Sequence, residues 1–571
     1  MKFPLLLTAV LFSTSAFAVV DMKSANYAET YTDLEVPGIG YDLRVTRTYN
    51  SRSIFNGMFG YGWCSDFETK IEVTPENTLK LTECGGGVEI NYLPQNFKSS
   101  STTSIISQIV AELKKRRPDL KEDYLKSLAK EMESNTFMRE EFAKRLNIKG
   151  SVQSNKVYYA NGKEAETIVL TGEGYYKRTM TDGTYQRFDA KTGLITHMYD
   201  KNGNYLKMQW SKDGLQGVVD NQGRKLSFKV DPSTKKVALI VGPNKLTASY
   251  QTKGDDLVGV RTARGEAYQY VYDDLHNLTE IVLPDKKTKK LTYNKDRDWV
   301  MSFTNPKGCV ETYNYILGKP DPKTYFKSTV VKKCGKEITN QSSYEFFHKE
   351  RQDGLGLYLH RVKTVNNGAL TDIVYHPIFG KPLMILENGE KTEYSYYSNG
   401  YVHEKKEPSK QLTYEYKGSC GKVSRVYTKN IETVKVPVAK NGKKTRDVSA
   451  TKEKITRQYH TDFQYDKAKC NLISAQNSEG QKVFLSYDRN GRIAKIVDQT
   501  KKPIEIQYES KFGKPAFVSR PGLGSIQVQY KDNGEILKVD SKQGPEVAVQ
   551  VASIFNNLLD VIAPATSESP L

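Results

Sequence analysis

Six cysteines and one basic stretch are the side chains whose types and spacing could do chemistry here. Six cysteines admit fifteen pairings. Joining sequence neighbours gives Cys64–Cys84, Cys309–Cys334 and Cys420–Cys470, and each pair is centred on a turn signal, "VTPEN", "GKPDPK" and "NGKKTR". Residues that face each other across a hairpin lie within disulfide reach, so three structural bridges are expected. No CxxC or CxxH spacing offers a metal site. The stretch Arg425–Arg457, "RVYTKNIETVKVPVAKNGKKTRDVSATKEKITR", carries ten basic residues against Glu432, Asp447 and Glu453. Alternation in "IETVKVPVAK" and the Asn441-Gly442 turn predict a long hairpin standing out from a sheet, tied at its base by Cys420 and Cys470. Lys440, Lys443, Lys444 and Arg446 are its candidate residues for an anionic ligand, through an attraction screened beyond about 8 Å at physiological salt. Solvated decoration is the plainer role for the same charges.

The search for catalysis is thin. There is no GxSxG elbow, P-loop, GxGxxG or HExxH, and "HEKKE" at 403–407 lacks the second histidine. His197, His276, His348, His360, His376, His403 and His460 are scattered through strands and loops. Carboxylates are plentiful, and a glycosidase needs only two at the right separation, but nothing singles out a pair. The expectation is a non-enzymatic protein without cofactor or metal.

The N-terminus, "MKFPLLLTAVLFSTSAFA", has a basic start, a short apolar run and Ala16-Phe17-Ala18, so a secretory signal cleaved after Ala18 is expected. No later run is long enough to span a bilayer. A secreted or periplasmic location, with cell-surface association as a variant of it, follows. The net charge is +19. In an exported chain it suits anionic polysaccharide, lipid head groups or a cell-surface protein better than nucleic acid, or it serves to keep exposed strands soluble.

The elements that must position these residues are read from a repeat. Aromatics recur at Tyr465, Tyr487, Tyr508 and Tyr530, at Tyr375, Tyr396 and Tyr416, and at Phe188, Trp210, Phe228, Tyr250, Tyr272, Tyr293 and Tyr315. The spacing is 20 to 22 residues, save 18 between Trp210 and Phe228, and a constant period marks a repeat architecture. In each unit apolar residues alternate up to the aromatic, as in Ile504, Ile506 and Tyr508, and a Gly, Asn or Asp turn follows, as in "DRNGRI". The unit is a β-hairpin with one buried face, which requires stacked neighbours. The aromatic shares its face with Ile, Val and Leu, so packing is its expected role rather than ligand contact.

Tyr272-Asp273, Tyr465-Asp466 and Tyr487-Asp488 at this period resemble the units of RHS/YD-repeat proteins. Residues 31–68 resemble the opening domain of bacterial RHS proteins through Thr32-Asp33-Leu34, Pro37-Gly38, Thr46-Arg47-Thr48-Tyr49-Asn50-Ser51 and Gly60-Tyr61-Gly62-Trp63. The resemblance implies hairpins coiled into a spiral, shell-like antiparallel sheet of fifteen to twenty units. Many members enclose a C-terminal toxin released at a D-P-x-G-L motif. That motif does not occur here, so the resemblance carries over neither self-cleavage nor toxin. The expected division is a signal peptide at 1–18, an RHS-type β domain at 19–97, a helical insertion at 98–148, repeats at 149–544, and an apolar plug and tail at 545–571. Function is expected to be that of an exported scaffold binding a cell surface or anionic polymer, with intercellular contact as one setting. The alternatives are a shell enclosing a separately encoded toxin or other polypeptide, and a secreted polysaccharide-acting enzyme.

Overall fold

The computed structural model describes residues 20–542, apart from residues 86, 96, 99, 161–162, 320, 322, 353–355, 419, 441–442 and 532–533, together with Val549. The expected signal segment lies outside the described residues, as does the expected plug apart from Val549. The chain is mainly β. Thirty-six described strands, from Lys70–Val73 to Ile536–Lys542, form one antiparallel sheet in chain order. Among the described residues no ladder joins its first strand to its last, and the sheet is not closed into a barrel.

The units form hairpins for local reasons. In Lys482–Tyr487, Val483 and Leu485 are buried while Phe484 faces out, as the two-residue side-chain period of a strand demands. The turn after it is built by Asp488. Its carboxylate accepts from the amides of Asn490 and Arg492 at 2.9 Å each and from Arg492 Nε at 2.7 Å. Gly491 supplies the positive φ, +79°. Asp273 and Asp466 hold their turns in the same way. Burial raises the Asp466 carboxyl, but the amides of Lys469, Asn471 and Ala468 outweigh it and hold it below its ordinary value.

The repeated tyrosine has a second task. A β-bulge recurs every 20 to 22 residues within each block, at positions such as Tyr272, Tyr293, Tyr465, Tyr487, Tyr508 and Tyr530. A bulge leaves the opposed strand with backbone groups outside the ladder. The next tyrosine satisfies one of them. Tyr272 opposes Leu278, whose carbonyl accepts from Tyr293 OH at 2.8 Å; Tyr293 opposes Val300, whose carbonyl accepts from Tyr315 OH at 2.7 Å. Tyr487, Tyr508 and Tyr530 donate likewise to Leu472, Ile493 and Pro515 at 2.7 to 2.8 Å. Trp210 Nε1 does so to Ile195 at 2.7 Å. The 18-residue spacing before Phe228 is also explained: the bulges there fall at Val230 and Thr252, two residues after Phe228 and Tyr250. The bulge period is regular where the aromatic period is not.

The sheet coils on itself. Lys422 Nζ donates to Thr181 O at 2.9 Å, Asn202 lies against Gly491, and Gln222 Nε2 donates to the carbonyls of Ser510 and Lys511. Turns of one circuit thus meet turns some 240 to 290 residues later. Three helices, α1 (Ser100–Arg116), α2 (Glu122–Ser134) and α3 (Thr136–Leu146), interrupt the sheet. They bury Ile105, Ile109, Met132 and Ala143 among themselves and dock on the 74–78 turn through Arg139 and Glu76 at 2.9 Å. Strands Lys70–Val73, Leu79–Thr82 and Glu89–Pro94 precede the helices yet belong to the long sheet, because Glu89–Pro94 pairs with Val157–Ala160. The separate N-terminal unit is therefore residues 20–64, a four-stranded sheet and a short ribbon.

Candidate functional site

The spiral has an inner face, and its first part is filled by the chain itself. Tyr27, Tyr49, Phe59 and Trp63 of the N-terminal unit are buried against sheet residues such as Tyr250, Tyr270 and Phe303, with ring centroids 4.8 to 5.7 Å apart for Phe59–Tyr250, Trp63–Tyr270 and Tyr27–Phe303. Trp63 Nε1 donates to Tyr272 OH at 2.8 Å. At the centre, Arg47 Nε donates to Asp33 Oδ2 at 2.8 Å, both side chains wholly buried. The Arg47 guanidinium lies over the rings of Tyr31, Trp63 and Tyr270 at 4.5 to 5.2 Å, and Tyr250 OH donates to Asp33. The Thr32-Asp33-Leu34 and Thr46-Arg47-Thr48 segments thus meet as one buried, charge-paired lock, where aromatic faces stand in for water around the guanidinium. Its role is packing; the arrangement presents no open reactive group.

The N-terminal unit also answers the bulges. Residues opposed to a bulge have an amide to satisfy as well as a carbonyl. Val237 N donates to Met58 O at 2.8 Å, Leu278 N to Tyr49 OH at 3.0 Å, and Val300 N to Ala25 O at 3.2 Å. Glu68 accepts from Met58 N at 2.6 Å and Ser65 N at 3.0 Å. Burial pushes its carboxyl up to about 7 against those two amides and Lys236.

The structure joins Cys64–Cys84, Cys309–Cys334 and Cys420–Cys470. Only Cys309–Cys334 fits the expected geometry of facing hairpin residues, extending the register in which Val310 opposes Lys333. Cys64 lies in the small sheet and Cys84 beyond the long sheet's second strand, so this bridge ties the N-terminal unit to the spiral. Cys420 and Cys470 lie in two turns and clamp the base of a hairpin.

That hairpin is the predicted basic one. Val423–Lys440 and Lys443–Tyr465 pair from Arg425↔Asp462 to Lys440↔Lys443. The flanking strand on one side stops at Asn430 and the one on the other begins at Thr461, so the rest is a two-stranded ribbon projecting past its neighbours. The side chains of Lys440, Lys443, Lys444 and Arg446 lie outside the described residues.

The histidines are not brought together. His276 pairs with Asp256, His403 with Ser395 and His376 stacks on Phe379, and among the described residues no group of His, Cys, Asp and Glu could hold a metal. No described helix is long and apolar enough to cross a membrane. Residues opposed to bulges were missed by the sequence reading, since only the pairing register reveals them.

Residues 18–90 match the model of DUF6531, described as a domain of unknown function. No curated protein matches the chain. Among solved structures it is similar to TcdB2-TccC3 without the hypervariable C-terminal region, at 11% identity over 90% of this chain and 31% of that one, TM-score 0.25. The Tc holotoxin pore of Photorhabdus luminescens gives 11% identity over 90% and 30%, TM-score 0.26. A porin-like protein from Bacteroides uniformis gives 8% over 41% and 91%, TM-score 0.15. The chain spans less than a third of the length of the first two.

Proposed function

We propose that the chain is an exported, non-enzymatic scaffold of the RHS/YD-repeat kind, which presents its basic ribbon to an anionic cell surface. The hairpin period, the open spiral and the match at residues 18–90 support the kinship. One observation carries the functional reading: a ribbon that runs on past Asn430 and Thr461, where its ladders with the flanking strands end, on a base clamped by Cys420–Cys470. A rigid base holds a charged ribbon away from the sheet, where long-range attraction acts on it first. The test is flotation with phosphatidylglycerol vesicles. The exported chain should bind at low salt and release as salt rises, and replacing Lys440, Lys443, Lys444 and Arg446 by Ser should abolish binding at unchanged melting temperature. Equal binding by both proteins would remove the ribbon from the account.

A carrier role is the second reading, favoured by one feature. Among the described residues, the inner cluster from Tyr394 to Ile504 is made of sheet residues alone, which suits an occupant other than residues 20–64. Native mass of the exported particle separates the readings: the chain's own mass supports the scaffold, and a stoichiometric excess supports cargo.

A further inference from the structure

One row of the sheet departs from the charge pairing seen elsewhere in it. Across neighbouring strands Glu280 meets Lys290 at 3.6 Å, Glu311 meets Lys332 at 3.0 Å, Lys327 meets Glu345 at 3.8 Å and Lys495 meets Glu505 at 3.4 Å, each pair directly opposed. In the strands Tyr175–Thr179, Tyr185–Asp189, Ile195–Tyr199 and Tyr205–Ser211, the register instead sets Lys177 opposite Arg187, Arg187 opposite His197, and His197 opposite Lys207. Lys225 continues the row one strand beyond Val219. Among the described residues no carboxylate forms an ion pair with Lys177, Arg187 or Lys207. Lys177 directly opposite Arg187 is an unfavourable like-charge pair, which carboxylates do not offset here as they do in the rows above.

The face is the one turned away from the packed interior, since Tyr176, Arg178, Phe188, Leu206 and Met208 alternate with it and are buried. Aromatic rings hold the cations in place. The Arg187 guanidinium lies over Tyr175 at 4.6 Å and Tyr199 at 5.0 Å, and the Lys177 ammonium lies over Tyr185 at 4.5 Å. Tyr185 and Tyr199 stack on each other at 4.5 Å and 9°, and His197 lies parallel to Tyr199 at 5.6 Å. The Nε of Arg187 is covered and has no hydrogen-bond partner. Cations immobilised before binding lose little entropy when a ligand arrives. Burial, then Lys207 and Arg187, pushes the His197 imidazole down to about 4, so at neutral pH it is an uncharged hydrogen-bonding group among fixed charges.

We propose that this row is a binding site for a linear acidic polysaccharide lying across the strands. Its carboxylates or sulfates would meet Lys177, Arg187 and Lys207, and its hydroxyls His197 and the tyrosine hydroxyls. Strands stand about 4.8 Å apart, so Lys177 to Lys207 spans about 15 Å, room for several charged groups of an extended chain. The chemistry disfavours a nucleic acid. Single strands bind by stacking bases on open aromatic faces, and here Tyr185 and Tyr199 spend their facing surfaces on each other while Arg187 and Lys177 cover others. The site rests on strand register and on the ring contacts of its cations, and is independent of the ribbon and of the scaffold reading.

The test is affinity electrophoresis of the full exported chain through gels containing alginate, a polyuronate, with neutral dextran and oligothymidylate as the other arms. Alginate should retard the wild type, more at low salt than at high salt. Lys177→Gln/Lys207→Gln should weaken that retardation at least about tenfold, equivalent to about 1.4 kcal/mol, at an unchanged melting temperature. Arg187→Gln, checked in the same way, serves if the double variant does not fold. The variant lacking the four ribbon charges should be retarded like wild type, which separates this site from the ribbon. Undiminished retardation of the row variants, equal retardation by dextran, or tighter binding of oligothymidylate than alginate would each overturn the proposal.

Discussion

The two parts of the sheet's inner face solve one backbone problem differently. Over roughly residues 188 to 346 the face is lined by the N-terminal unit, and amides left over at bulges donate to that unit: Val237 to Met58, Leu278 to Tyr49, Val300 to Ala25. Over residues 382 to 518 the core cluster contains, among the described residues, none from that unit. There the residues opposed to the bulges at Tyr375 and Tyr508 are Pro382 and Pro515, which have no N–H to satisfy. The lysine preceding each proline reaches on to the next turn. Lys381 Nζ donates to Gly400 O and Lys514 Nζ to Gly534 O, and they lie over the rings of Tyr396 and Tyr530 at 5.8 and 5.6 Å. At these two positions the repeat drops the N–H that the lined part hands to its partner, whereas Val402, Val423, Leu472, Ile493 and Ile536, opposed to the other bulges, keep theirs.

The sharpest way to break the contrast is to damage the lining. Asp33→Ala leaves Arg47 buried and unpaired and should cost about 3 to 5 kcal/mol; Trp63→Ala, at a wholly buried side chain, should cost about as much. Thermal melts should then show the strands between 188 and 346 failing first, with the Tyr394 to Ile504 cluster persisting. Simultaneous loss of both would show that the two parts are one cooperative unit.

A comparable effect is expected at Cys420–Cys470. It closes a separation of 50 residues, so Cys420→Ser/Cys470→Ser should cost about 4 kcal/mol in the chain-entropy model, and less if the ribbon opens locally. Denaturant melts measure the loss, and proteolysis should cut the ribbon first.

Glu68 gives the lined part its own pH response. The folded chain holds this proton up to about pH 7, whereas the unfolded chain releases it near 4.5. The folded state therefore binds more protons between those values, and the stability from this group is complete below about 4.5 and lost as pH rises through 7. Glu68→Gln should flatten that slope in melts from pH 4.5 to 8; an unchanged slope would assign it elsewhere.

The smallest effect is Tyr508→Phe, which removes the hydroxyl bonded to Ile493 O. About 1 kcal/mol is expected. Tyr293→Phe, in the lined part, should cost more because its acceptor carbonyl, on Leu278, has no access to water. Leu278 is wholly buried, whereas Ile493 is half-buried.

How much of this was legible in the sequence follows from the range of each interaction. The hairpin unit is local, so alternation, Gly turns and the Asp cap announce it, and the long ribbon is announced the same way. The bulge is also local, but Phe228 and Tyr250 lie two residues before theirs on the same face, and an aromatic count cannot tell these positions apart. Cys64 and Cys84 are neighbours in sequence, yet their bridge spans two sheets because the chain leaves one and enters the other between them. The lining of the sheet and the Lys177–Arg187–His197–Lys207 row were not legible. The first joins residues some 180 to 280 positions apart, and the second exists only once strand register is known.

Native-state hydrogen exchange tests the central claim most directly. With all three bridges intact, peptides covering 268–304 and 482–530 should be compared across a denaturant series. The account predicts higher opening free energies for the first, whose leftover amides and aromatic face are held by residues 20–64, and earlier opening of the second. Equal protection of both sets, or stronger protection of 482–530, would contradict it.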